Sequence, residues 1–251
     1  MPSLDPIWLL LAGFGGGLSG SVAGLASLVS YPALLAVGLP PISANVTNTV
    51  SLVFSSAGSV WGSRPELKGQ QPLVRRLAPV AVAGGASGGA LLLLTPAGDF
   101  THLVPVLIGG ASLGILVRRR ARPGPDEPEP YRPTVALAAI VFAVSLYAGY
   151  FGAAAGVIML ATLLLVTGDT LARANALKNV LVGTGNAVAA VAFAAFGPVR
   201  WWDVLPLAVG FLAGGRVGPI IVRRVPPWPL RVVIALSGLG LAVHLGLDAY
   251  R

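Results

Sequence analysis

Apolar residues in this chain run in long blocks separated by short clusters of charge, glycine and proline, with no period-two alternation. The blocks are Ile7–Val37, Ile42–Trp61, Leu77–Leu94, His102–Val117, Thr134–Thr167, Ala174–Phe196, Val204–Val222 and Val232–Leu247. Most are close to the ~20 residues that a helix needs to cross a bilayer. The pattern predicts an all-α polytopic membrane protein. Two blocks, Ile7–Val37 and Thr134–Thr167, are too long. A straight helix of that length would measure about 45–50 Å against a hydrocarbon core of about 30 Å. Both carry small residues near their middles, so each is expected to be broken or re-entrant, with Gly20, Gly24, Gly152 and Gly156 at the breaks.

The stretch Arg118–Pro133 (RRRARPGPDEPEPYRP) holds charges and five prolines, which neither enter lipid nor continue a helix. It reads as a linker over 118–133 between a first transmembrane repeat, 1–117, and a second, 134–251, each with about four apolar segments. Sliding the second half back by 130 positions puts Ala174-Asn175 on Ala44-Asn45 and Gly168 on Gly38. The same shift puts Ala213-Gly214-Gly215 on Ala83-Gly84-Gly85 and Pro226 on Pro96. With a two-residue gap, Gly152–Gly156 falls on Gly20–Gly24. One offset joining Asn, Pro and an Ala-Gly-Gly triplet marks an internal repeat.

Composition supports a lipid setting. Charged residues are 10% of the chain and apolar ones 55%, where a soluble domain spends about a quarter on charge. The 33 glycines suit close helix packing in lipid. The net charge of +8 forms no basic stripe interleaved with aromatics, so nucleic acid is not an expected partner. The basic residues instead orient the chain. Arg64, Lys68, Arg75 and Arg76, the linker arginines, and Arg223, Arg224 and Arg231 mark cytoplasmic loops. Both termini and the 197–203 loop then lie outside, which leaves Arg200 outside too. Matching loops of the two halves face opposite sides, the pattern of an inverted repeat and a recurring transporter design.

The residues in view resemble the sulfite exporter TauE/SafE family of membrane transporters. In the first half the likeness lies in Gly24-Leu-Ala-Ser-Leu-Val-Ser-Tyr-Pro32, Gly38-Leu-Pro-Pro41 and Ala44-Asn-Val-Thr-Asn-Thr-Val50. In the second it lies in Gly149-Tyr-Phe-Gly-Ala-Ala-Ala-Gly156, Arg173-Ala-Asn-Ala-Leu-Lys-Asn-Val180 and Gly197-Pro-Val-Arg-Trp201. It covers essentially the whole chain outside the linker. One departure is that Gly24-Leu-Ala-Ser and Gly152-Ala-Ala-Ala stand where many members have runs of glycine. The resemblance implies a multi-pass protein of the plasma membrane, with no cofactor. It implies secondary export or exchange of a small anion such as sulfite or an organosulfur compound.

Polar residues inside apolar runs are the candidate substrate-binding residues: Asn45, Thr47, Asn48 and Thr49 in the first half, with Ser51 beside them, and Asn175, Lys178 and Asn179 in the second. Asn45 and Asn48, three apart, and Asn175 and Asn179, four apart, each share a helical face. Amide and hydroxyl donors, with the N-terminus of a broken helix, suit an oxyanion. The alternative is that the asparagines only bond helix to helix. Lys178 either supplies the site's positive charge or snorkels to the cytoplasmic surface, and Arg216 is open to the same two readings. Trp201 and Trp202 read as an interfacial belt, and His102 and His244 as surface residues.

Two rival classes remain to be weighed. Gly17-Leu-Ser-Gly20 and Gly85-Ala-Ser-Gly88 fit the GxSG serine pattern of rhomboid-like intramembrane proteases, with His244 as a partner. The motif is weak in a glycine-rich chain, and no enzyme is expected. The other rival is a non-transporting membrane receptor. The expected partners are the anion and membrane lipid; a homo-oligomer is compatible with the pattern.

Overall fold

The computed structural model describes residues 5–116 and 135–224, together with 232, 236, 239–240 and 242–247. The linker at 118–133 and part of the last apolar run lie outside the described residues. Among the described residues the structure is helices joined by short loops, without strands. The helices are α1 (Asp5–Ala23), α2 (Ala26–Ala36), α3 (Pro41–Gly62), α4 (Gln71–Leu94), α5 (Ala97–Leu116), α6 (Val135–Tyr150), α7 (Ala155–Thr167), α8 (Leu171–Phe196) and α9 (Trp201–Val222). By length and composition α1, α4, α8 and α9 are apolar enough to cross a membrane.

Both overlong runs are interrupted. The first ends α1 in a left-handed glycine cap: Gly24 has φ +77°, its N–H donates to Gly20 O, and the Leu25 N–H donates to Ser19 O. A residue in this left-handed conformation closes a helix with little penalty only when it is glycine. The chain then doubles back, and α2 packs antiparallel on α1, with Gly16 against Ser30 and Gly20 against Ala26. In the second run the break comes one turn earlier. Gly152 has φ +74° and donates to Tyr147 O. Ala154, at φ +57°, turns the chain into α7. Gly20 stays inside α1, although its repeat partner Gly152 is the break in the second half.

Glycine faces then set which helices touch. Gly13 and Gly17 of α1 meet Leu207 and Phe211 of α9, and Ser21 meets Gly218. Gly84 and Gly88 of α4 meet Phe142 and Leu146 of α6 in the same ascending order. Both pairs are therefore parallel. The Ala-Gly-Gly triplet does matching work in each half: Gly85 abuts the backbone of Gly185 on α8, and Gly215 abuts that of Ser55 on α3. In lipid, such backbone approach replaces the hydrophobic effect as the source of helix association.

The ends of these helices gather by charge. Arg223, capping α9, grips Glu66 in the loop after α3 with bonds of 2.6 and 2.9 Å. Arg173, opening α8, donates to Lys68 O, and its own carbonyl accepts from Gln70 just before α4. So α1, α3 and α9 run toward this end, and α4, α6 and α8 run away from it.

Candidate functional site

The break after α1 crosses the first turn of α7, just past the second break. Gly24 and Gly156 lie so close that a Cβ on either would sit 2.6 Å from the other's Cα. Beside this crossing is a cavity of about 50 Å³, lined by Gly20, Gly24, Gly152 and Gly156, by Ser27 of α2, and by Ser55, Ser56 and Ser59 of α3. Lys178, Asn179 and Asn186 of α8 complete its polar wall. It lies along α3 from Leu52 to Ser59, in the half of the bundle nearer Glu66. On the other side Tyr31, Phe100 and Phe151 are buried edge to face, with ring centroids 5.3 and 5.9 Å apart. Phe100 also meets Tyr150 at 6.0 Å.

Each broken helix exposes carbonyls that no further turn can satisfy. At the end of α1, Asn175 Nδ2 donates to Ser21 O at 2.8 Å. Lys178 Nζ donates to Gly20 O at 2.8 Å and to Ser21 O at 3.3 Å. At the end of α6, Asn45 Nδ2 donates to Tyr150 O at 2.9 Å. The Ala-Asn pair matched by the repeat therefore caps a broken helix from the opposite half in both cases. Only α1 has a cationic cap as well, where it favours the helix's negative end.

Lys178 is 1% exposed, two turns and about 10 Å along α8 from its start. Its ammonium points to the α1 carbonyls and the cavity and does not snorkel to the surface.

The seven candidate substrate-binding residues do not all face the cavity. Lys178 and Asn179 line the cavity. Asn45 and Asn175 are caps. Asn48 is locked on α2, accepting from Ser30 Oγ at 2.6 Å and donating to Ser27 Oγ at 3.2 Å. Thr49 Oγ1 donates to Asn45 O within α3, and Thr47 Oγ1 accepts from the Arg200 N–H. Arg216 lies far along α9, exposed, against Trp61.

Ser27, Ser55, Ser56, Ser59 and Asn186 were not among the sequence candidates. Ser51, Ser55 and Ser59 recur every four residues, and Asn179 and Asn186 are seven apart, so each set marks one face of an otherwise apolar helix. That spacing was the available signal.

Electrostatically the cavity favours an anion. It has one ammonium, several hydroxyls and no carboxylate among its described lining residues. Asn179 Nδ2 is buried without a hydrogen-bond partner, a state that costs about 1–3 kcal/mol until an acceptor arrives. The first turns of α2 and α7 also start beside it, bringing N–H groups and the positive ends of two helix dipoles.

The serine motifs have a different character. Ser19 Oγ donates to Gly16 O and Ser87 Oγ to Ala83 O, each within its own helix.

Comparison with known proteins agrees with a transport reading. The family model described as Sulfite exporter TauE/SafE matches residues 9–245. A Sinorhizobium sp protein named "Probable membrane transporter protein ORF9" is 24% identical over 246 residues, covering 96% of this chain and 92% of its own. "Probable membrane transporter protein YfcA" of Escherichia coli (strain K12) is 26% identical over 242 residues, with 96% and 88% covered. A "Probable membrane transporter protein" of Haemophilus influenzae is 25% identical over 245 residues, with 96% and 94% covered. These likenesses span both halves, not one module. No solved structure matches the chain.

Proposed function

The chain belongs to the sulfite exporter TauE/SafE family of multi-pass membrane transporters, and on that premise we propose that it exports a small anion, such as sulfite or an organosulfur anion, across the plasma membrane by secondary transport. The observation that carries this reading is the cavity at the Gly24–Gly156 crossing, where Lys178 and the unpaired Asn179 amide are presented together. Its volume of about 50 Å³ has room for roughly three or four waters, which suits a compact oxyanion stripped of its hydration.

In this reading Lys178 supplies charge, Asn179 and the serine hydroxyls supply donors, and Asn45 and Asn175 hold the broken ends in register. The opposite senses of α1 and α6, α3 and α8, and α4 and α9 support two inverted repeats about the crossing. Rocking of one hairpin against the other would then expose the cavity to each side in turn. The aromatic cluster of Tyr31, Phe100 and Phe151 closes the side away from Glu66, leaving the cavity nearer the expected cytoplasmic face.

The test is flux in proteoliposomes across sulfite, sulfate, thiosulfate and small sulfonates, with Lys178→Gln beside the wild type. Saturable flux of at least one anion that the variant loses supports the proposal. No flux of any of them in correctly inserted protein would favour a receptor.

A further inference from the structure

Two arginines from different elements meet on one indole. Trp61, near the end of α3, is 46% exposed. The guanidinium carbon of Arg216 lies 3.9 Å from its ring centroid, and that of Arg64 lies 5.9 Å away. Gly62 holds this arrangement close: a Cβ there would come within 2.7 Å of Arg216 O, so no larger residue allows α3 so near α9.

Both guanidiniums are exposed, and neither makes an ion pair among the described residues. The nearby carboxylate, Glu66, has both oxygens taken by Arg223. Arg216 precedes Arg223 by seven residues, about 10 Å along the helix, which sets it below the polar loop. An indole with a cation on its face is at home where headgroups meet acyl chains. Apolar Leu212 and Val209, one and two turns deeper on the same face of the helix, are exposed at 37% and 60%.

We propose that Trp61, Arg64 and Arg216 form a binding site for the phosphate of an anionic membrane lipid. Guanidinium forks match phosphate oxygens in pairs. The indole fixes the two forks, and the acyl chains run deeper along α9 past Leu212 and Val209. The depth of Arg216 and the apolar floor select a lipid over a free phosphate. This site is separate from the anion cavity, so its test leaves the transport proposal untouched.

Native mass spectrometry of the full-length protein, titrated with phosphatidylglycerol or phosphatidylcholine, tests it. Wild type should retain phosphatidylglycerol at least tenfold more tightly than phosphatidylcholine. Arg64→Gln with Arg216→Gln should remove most of that preference, and Arg216→Lys should weaken it by retaining charge without the fork. Arg224→Gln, an exposed arginine at the same end, should change it less than twofold. Three results would overturn the proposal: equal retention of both lipids by wild type, an Arg224→Gln loss as large as the double variant's, or displacement of the lipid by millimolar inorganic phosphate. Equal retention of both lipids by wild type overturns the proposal even where a variant fails to fold.

Discussion

Gly24 and Gly156, repeat partners 132 residues apart, press backbone against backbone where the two broken helices cross. Any side chain there must either part the hairpins or distort both. Gly24 has a second constraint in its φ of +77°. Gly24→Ala should therefore lose about 1–2 kcal/mol from left-handed backbone and about 1–3 kcal/mol from overpacking, and abolish flux. Gly38 is the control. It has φ +87° but open space around its missing Cβ, so Gly38→Ala should show only the backbone loss. Thermal melts of the two purified variants check this; equal melts would mean that the crossing is not tightly packed.

The Glu66–Arg223 pair ties the end of α3 to the end of α9, and it should make stability depend on pH. The hydrogen bonds from Arg223 hold the Glu66 carboxyl below its ordinary range, against a smaller opposing effect of burial. A depressed carboxyl contributes stability that is full above its unfolded pKa and lost as pH falls through its folded one. Wild type should thus melt above Glu66→Gln at neutral pH, and the gap should close on acidification below the ordinary carboxylate range. A gap independent of pH would show that the carboxylate charge is not what joins the helices.

Neither serine of the two GxSG motifs is set up as a nucleophile, since each hydroxyl donates to a carbonyl of its own helix. Ser19→Ala and Ser87→Ala should keep nearly full flux. Covalent labelling of either serine by a fluorophosphonate probe would revive the protease alternative.

Arg64, Lys68, Arg173 and Arg223 meet at one end of the bundle, which accords with a single cytoplasmic face. The linker should lie there too. Because the chain has no cysteine, a thiol placed by Gly124→Cys reports alone. It should react with an impermeant maleimide only after the cells are opened. Reaction in intact cells would reverse or break the proposed orientation.

Much of this architecture was legible because it follows from length and small residues. A run such as Ile7–Val37 cannot cross straight, and Gly24 was the residue able to end α1 within it. The Ala-Gly-Gly repeat was visible as a pattern, and its cause is the matched approach of Gly85 to Gly185 and Gly215 to Ser55. The partners of the asparagines were not legible. Asn175 and Asn179 share a face, yet one caps Ser21 and the Nδ2 of the other has no hydrogen-bond partner. Periodicity gives direction around a helix but not which strange end of another helix lies opposite. The hydroxyl stripe of Ser55 and Ser59 does not stand out in the sequence, because serine is common in membrane helix contacts and carries no charge.

The asparagines and Lys178 now separate by what each should do to stability and to binding. Asn175 has its donor committed to Ser21 O. Asn175→Leu should cost about 0.5–1.5 kcal/mol, because Ser21 O keeps only the longer bond from Lys178, while anion affinity in the surviving protein stays close to normal. Asn179 is the reverse case. Its Nδ2 is buried and unpartnered, so Asn179→Leu removes an unsatisfied donor and should leave thermal stability equal or slightly higher. Affinity should nevertheless fall at least tenfold, since that donor is then lost to the anion. Lys178 is both cap and cavity wall, so Lys178→Gln should lower the two together, and Lys178→Arg should recover part of the affinity by restoring charge. Melting temperature and anion affinity measured on the same preparations distinguish these roles. If Asn179→Leu and Lys178→Gln both bind anion normally, the cavity is a packing defect between the hairpins and the anion passes elsewhere.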